Sequence, residues 1–173
     1  MVIWLIGLSG AGKTTIGRHL HQMWKATEPN TVFIDGDEIR EVFKHNTGTE
    51  PYTVAGRRAN AERMTELCAW LDSQDINVVC CILSLFPEMR ETNSQRFSSY
   101  FEAYVSAPMD ALIDRDGKGL YAAAINGKTK NVVGIDIDFP APVSPDIVIH
   151  NEFEKSDPKK LAANIFSRAV MQR

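Results

Sequence analysis

Gly7, Gly12, Lys13 and Thr14 stand at the spacing G-x-x-x-x-G-K-[ST], inside the run GLSGAGKTT. The chemistry this spacing serves is the cradling of a nucleotide's phosphates. Glycines let successive backbone N–H groups turn toward phosphate oxygens, and the positive end of a following helix adds to their field. Ser9, Gly10, Ala11 and Thr15 complete the loop. Lys13 is placed to reach the β- and γ-phosphates, and the Thr14 hydroxyl to ligate Mg²⁺. The predicted cofactors are therefore ATP and Mg²⁺. A guanine-reading N-K-x-D pattern is absent, and Asp114 to Gly117 matches only the short D-x-x-G, which argues against a GTPase switch.

A second constellation lies downstream, where FIDGDEIR sets Asp35 and Asp37 two residues apart with Arg40 one helical turn further on. At a strand end facing a phosphate loop, two such carboxylates suit Mg²⁺ ligation and activation of an acceptor hydroxyl. Arg40 is spaced to clamp an anionic acceptor. The plainer reading of the same residues is an acidic helix N-cap followed by an exposed arginine.

Elements able to position these groups recur along the chain. Val2 to Ile6, Thr31 to Ile34, Asn77 to Leu83, Phe101 to Val105 and Ile147 to Ile149 are short apolar runs that read as strands. Thr14 to Lys25, Arg57 to Leu71 and Pro158 to Val170 carry apolar residues at helical spacing. Strands alternating with helices predict an α/β fold, with a mostly parallel five-stranded sheet flanked by helices. Ligands bind such sheets at the carboxyl ends of the strands, where both constellations fall. With 173 residues and neither linker nor repeat, the expectation is a single domain over 1–173.

Composition narrows the function classes. Hydrophobic residues at 44% and charged residues at 24% exclude disordered and fibrous chains. A net charge of −3 lacks the basic footprint of a nucleic-acid binder. No apolar stretch reaches membrane-spanning length, and the first residues run directly into the phosphate loop without a basic leader, so a cytoplasmic protein is expected. Cys68, Cys80 and Cys81 form no even framework and read as small buried apolar groups. The four histidines share no metal-ligand spacing.

GLSGAGKTT, FIDGDEIR and RDGKGLY, in this order and at these separations, resemble the adenylylsulfate (APS) kinase family over about Ile3 to Ile149. The resemblance implies a P-loop kinase fold with a lid after the fourth strand, carrying Arg115 and Lys118 over the ATP phosphates. It implies transfer of the ATP γ-phosphoryl to the ribose 3′-hydroxyl of adenosine 5′-phosphosulfate, giving PAPS. Asp37 would then be the base toward that hydroxyl, with Asp35 assisting Mg²⁺ or Lys13. Arg40, Arg57 and Asn60 would hold the acceptor, Tyr52 would stack on its base, and Ile82, Ser84, Lys118 and Val132 would complete its site. Family members are commonly homodimers, and the resemblance extends that expectation here.

Three segments depart from the family, all on the acceptor side. The I-S-P-Y-R turn reads Leu83-Ser84-Leu85-Phe86-Pro87, F-T-G-I reads Val132-Val133-Gly134-Ile135, and Y-E-x-P reads Phe139-Pro140-Ala141-Pro142. A proline position, an arginine, a second base-stacking aromatic and a carboxylate are thereby lost. A kinase for the ribose 3′-hydroxyl of another modified nucleotide, such as cytidine diphosphoramidate in surface-glycan modification, is the alternative. A non-catalytic nucleotide-sensing domain is a further one, against which the retention of Lys13, Thr14, Asp35 and Asp37 together argues.

Overall fold

The computed structural model describes residues 1–45, 47–117 and 119–171. Five strands, β1 (Val2–Ile6), β2 (Thr31–Asp35), β3 (Asn77–Ile82), β4 (Tyr100–Ser106) and β5 (Ile147–His150), form one sheet in the order β2-β3-β1-β4-β5. Every pairing in it is parallel. Among the described residues seven α-helices accompany it: α1 (Lys13–Thr27), α2 (Gly36–Val42), α3 (Val54–Asp72), α4 (Pro87–Arg96), α5 (Met109–Arg115), α6 (Leu120–Ile125) and α7 (Pro158–Ala169). Among the described residues no helix is long and apolar enough to cross a membrane.

The continuous apolar run of β1 makes it the central strand, because helices cover both faces of the sheet. Alternate side chains serve opposite layers. Ile3 and Leu5 join Ile16, Leu20 and Trp24 of α1 and Ala162 and Ile165 of α7 in one buried cluster. Val2, Trp4 and Ile6 join Met64 and Cys68 of α3, with Phe86 and Phe97, in the other. Each fully buried aliphatic side chain of this kind contributes about 1.5–3 kcal/mol relative to exposure.

The three long helices appear where periodicity places them, but the short ones do not announce themselves. Helix α4, PEMRETNSQR, has no apolar face and buries Arg90 and Asn93 instead. Arg90 donates through Nη1 to Ser84 O at 2.8 Å and through Nη2 to Pro140 O at 3.0 Å. Trp70 is 62% exposed on α3. The three cysteines are buried and free, and burial pushes the Cys80 and Cys81 thiols up, which disfavours the thiolate form.

One buried carboxylate makes stability depend on pH. Glu102 of β4 is 9% exposed, and its pKa is raised, chiefly by burial. Tyr100 OH donates to its Oε2 at 2.7 Å without offsetting that cost. A raised folded-state pKa favours the protonated form, so this contribution is full below the ordinary range and is lost as pH rises through the folded value. Glu102→Gln keeps an acceptor for Tyr100 and removes the ionisation. Its Tm is expected to exceed wild type by about 2–4 °C at pH 8, with the gap closing toward pH 4. Parallel melting curves across that range check this, and a gap independent of pH would contradict it.

Candidate active site

Because all strands run the same way, the segments following each of them meet at one edge of the sheet. A cavity of about 760 Å³ opens there, in the size range of small-molecule sites.

The phosphate loop between β1 and α1 forms its floor, with Ser9, Gly10, Gly12, Lys13, Thr14 and Thr15 on the cavity wall. Gly12 sits at φ 97°, and a Cβ there would lie 2.5 Å from Asn151 Nδ2, so the loop requires glycine at this point. No side chain caps the start of α1, which leaves its first N–H groups directed at the cavity. Gly7 and Ala11 lie outside the wall and shape the loop from behind. Ala11 O accepts a hydrogen bond from Asn151 Nδ2 at 2.9 Å. On the other flank Ser9 O accepts from Tyr121 OH at 2.7 Å. Lys13 Nζ donates to Leu8 O at 2.7 Å, folded over the loop.

Asp35 combines both readings of its sequence. Its Oδ1 accepts the Asp37 N–H at 2.9 Å as the N-cap of α2, and its Oδ2 accepts from Thr14 Oγ1 at 2.7 Å. The Thr14 and Asp35 oxygens form a hard-donor pair beside the phosphate loop. Among the described residues no group of three or more His, Cys, Asp or Glu side chains could hold a metal by itself. Such a pair fits Mg²⁺, which takes one or two protein oxygens and completes its shell with phosphates and water.

The half of the cavity that the resemblance assigns to the acceptor lies between α2, the 3-10 turn Glu50–Tyr52 and α3. Gly56 makes this packing possible, since a Cβ there would fall 2.3 Å from Glu50 O. Arg40 Nη1 donates to Asp37 Oδ1 at 2.8 Å, which fixes the Asp37 carboxylate at the cavity mouth. Arg40 is 9% exposed and Asn60 2% exposed, and Arg40 Nε and Asn60 Nδ2 are buried donors without a protein partner. Both residues line the cavity, so these donors suit an anionic, hydrogen-bonding ligand. Tyr52 presents its ring beneath two guanidinium groups, with Arg40 Cζ 5.5 Å and Arg57 Cζ 5.9 Å from its centroid. Burial, and after it the charge of Arg40, pulls the Arg57 pKa below its ordinary value.

Ile82 lines the cavity, whereas Ser84 and Val132 do not. Ser84 is buried behind the wall, in a small recess shared with Trp4, Thr65 and Asn93. Val132 lies in the core cluster of α1 and α7, and its neighbour Val133 reaches the cavity. Adjacent side chains of this segment point to opposite sides, and a carboxylate holds the register: Asp136 Oδ1 accepts the Val132 N–H. Arg115 lines the cavity on the donor side, with its guanidinium 4.1 Å above the Phe153 ring. Lys118 lies outside the described residues. Asn151, Phe153, Val133 and Tyr121 are the participants that spacing did not reveal. Two of them carried a signal, Tyr121 as the last residue of RDGKGLY and Val133 within the segment that departs from F-T-G-I.

The family model for adenylylsulphate kinase matches residues 1–150. The chain belongs to the adenylylsulfate kinase family. It is a kinase, a phosphotransferase with an alcohol group as acceptor. A cytidine diphosphoramidate kinase from Campylobacter jejuni is 39% identical over 150 residues, covering 87% of this chain and 85% of the relative. An adenylyl-sulfate kinase from Halothermothrix orenii is 32% identical over 154 residues, covering 89% and 82%. Among solved structures, the Mycobacterium tuberculosis APS kinase CysC in complex with AMPPNP and APS superposes with a TM-score of 0.82 at 23% identity, covering 96% of this chain and 95% of that one. That likeness is one of fold.

Proposed function

We propose that this kinase transfers the ATP γ-phosphoryl to the ribose 3′-hydroxyl of a pyrimidine nucleotide, with cytidine diphosphoramidate as the acceptor. One observation carries the choice of base. Among the described residues that line this half, Tyr52 is the one aromatic, and the aliphatic Val133 borders the same cavity. A stacking aromatic contributes about 1–3 kcal/mol per base, so a purine held on one ring alone loses much of its grip, and a smaller pyrimidine loses less. The 39% identity to a cytidine diphosphoramidate kinase supports the same reading. Adenosine 5′-phosphosulfate is the second reading, favoured by the family match and by relatives such as the 32% identical adenylyl-sulfate kinase.

In this reading the acceptor's 3′-oxygen attacks the γ-phosphorus in line and its proton passes to Asp37. The bond to the β–γ bridging oxygen breaks, and ADP leaves. Mg²⁺, held by Thr14 and Asp35, supplies charge neutralisation on the phosphates when bound. Lys13 and the open N–H groups of α1 hold the phosphates, and Arg40 with Asn60 holds the acceptor's anionic end. Arg115 and Phe153 form a stacking surface for the donor base.

An acceptor panel tests the proposal. ATP turnover is expected to depend on added acceptor, with kcat/KM for cytidine diphosphoramidate at least about ten-fold above that for APS, a gap of about 1.4 kcal/mol. A preference for APS by the same factor would establish the second reading instead.

A further inference from the structure

Arg57 and Arg40 both reach the Tyr52 ring, but their hydrogen bonds differ in kind. Arg40 bonds a carboxylate and keeps a buried, unpartnered Nε. Arg57 directs two of its N–H groups at backbone carbonyls from two separate segments. Its Nε donates to Tyr52 O at 2.9 Å, and its Nη2 donates to Asn131 O at 2.8 Å, 74 residues away.

Asn131 opens a closed turn. It adopts φ 64°, its N–H donates to Asp136 Oδ2 at 2.6 Å, and the Val132 N–H donates to the other oxygen of the same carboxylate. The N–H groups of Ile135, Asp136 and Ile137 all return to Val132 O. A turn closed this many ways moves as a unit, and it carries Val133 to the cavity wall.

The structure assigns Arg57 to positioning: it is the strut that ties the Tyr52 platform to the 131–137 turn and so sets the width of the acceptor slot. This rests on the reading of that half as the site of an acceptor's base. The guanidinium is suited to the task because its planar fork directs two N–H groups at fixed angles, and a lysine ammonium cannot satisfy both carbonyls across the same gap. The resemblance assigns Arg57 to acceptor contact, and the two roles make different predictions.

The test uses the purified full chain with Arg57→Lys, Asp136→Ala and the double variant. Each is assayed with cytidine diphosphoramidate, with APS and with the methyl ester of cytidine 5′-monophosphate, a diester that carries less charge. As a strut, Arg57→Lys should raise KM for the preferred acceptor about ten-fold or more, leaving KM for ATP within about two-fold. The factor should be the same for acceptors of different charge. Asp136→Ala should show the same signature, although a carboxylate has no attraction for an anionic acceptor, and the double variant should add little to either single. Rescue by lysine, or a loss that grows with acceptor charge, would mean direct anion contact and overturn the assignment. Additive losses, or an equal rise in KM for ATP, would overturn it as well. The wild-type preference among acceptors is read separately, so failure of the cytidine reading leaves the strut test intact with APS as substrate.

Discussion

Lys13→Ala is expected to abolish phosphotransfer while the protein remains folded. The ammonium bridges the phosphate loop to Leu8 O at 2.7 Å and belongs to neither core cluster, so its removal leaves the packing of β1, α1 and α7 in place. What is lost is a cation beside the transferring phosphoryl, in a site partly shielded from water. Removal of one preorganised group that stabilises developing charge costs about 10²–10³ in kcat, and Lys13 bears a full charge at the centre of the reaction. Turnover below about one hundredth of wild type, with Tm changed by no more than a few degrees, is the anticipated result. A purified variant keeping more than about a tenth of wild-type turnover would show that the phosphates sit elsewhere.

Asp37→Asn is expected to lower kcat by about 10²–10⁴ with a modest change in KM, because a general base acts chiefly in the transition state. The structure sharpens this test. Asparagine retains an oxygen to accept the Arg40 Nη1 hydrogen bond that Asp37 Oδ1 accepts at 2.8 Å, so a tether remains while the basicity and the charge paired with Arg40 disappear. Asp35→Asn should behave differently. Asp35 accepts from both Thr14 Oγ1 and the Asp37 N–H, so an amide there disturbs the hard-oxygen pair and the cap of α2 together. Its activity should recover in part as Mg²⁺ is raised, whereas that of Asp37→Asn should not. Equal, metal-reversible losses in the two variants would mean that the roles are exchanged.

The two halves of the site were legible in the sequence to different degrees. The donor half rests on short spacings: the phosphate loop needs its glycines, lysine and threonine within eight consecutive residues, and the β2–α2 junction needs Asp35 and Asp37 two apart. The acceptor half is assembled from segments that meet only on folding. Two substitutions in the 131–135 segment looked alike as sequence, yet Val132 packs into the cluster of α1 and α7, while Val133, equally buried in the opposite cluster, also borders the cavity. Which of them faces the ligand depends on the Asp136 carboxylate that holds the backbone.

By itself the sequence determined the parallel sheet and the phosphate loop, because these follow from interactions over one strand length or one helical turn. Periods of two and 3.6 residues are set by backbone geometry, and a loop that wraps phosphates with its own N–H groups needs no distant partner. Tertiary structure decided what braces that loop and what walls the acceptor. The Asn151–Ala11 bond spans 140 residues, the Tyr121–Ser9 bond 112 and the Arg57–Asn131 bond 74, and all three end on backbone carbonyls. Every residue carries a carbonyl, so no residue type marks one as a partner. Only the path of the chain brings a donor to it.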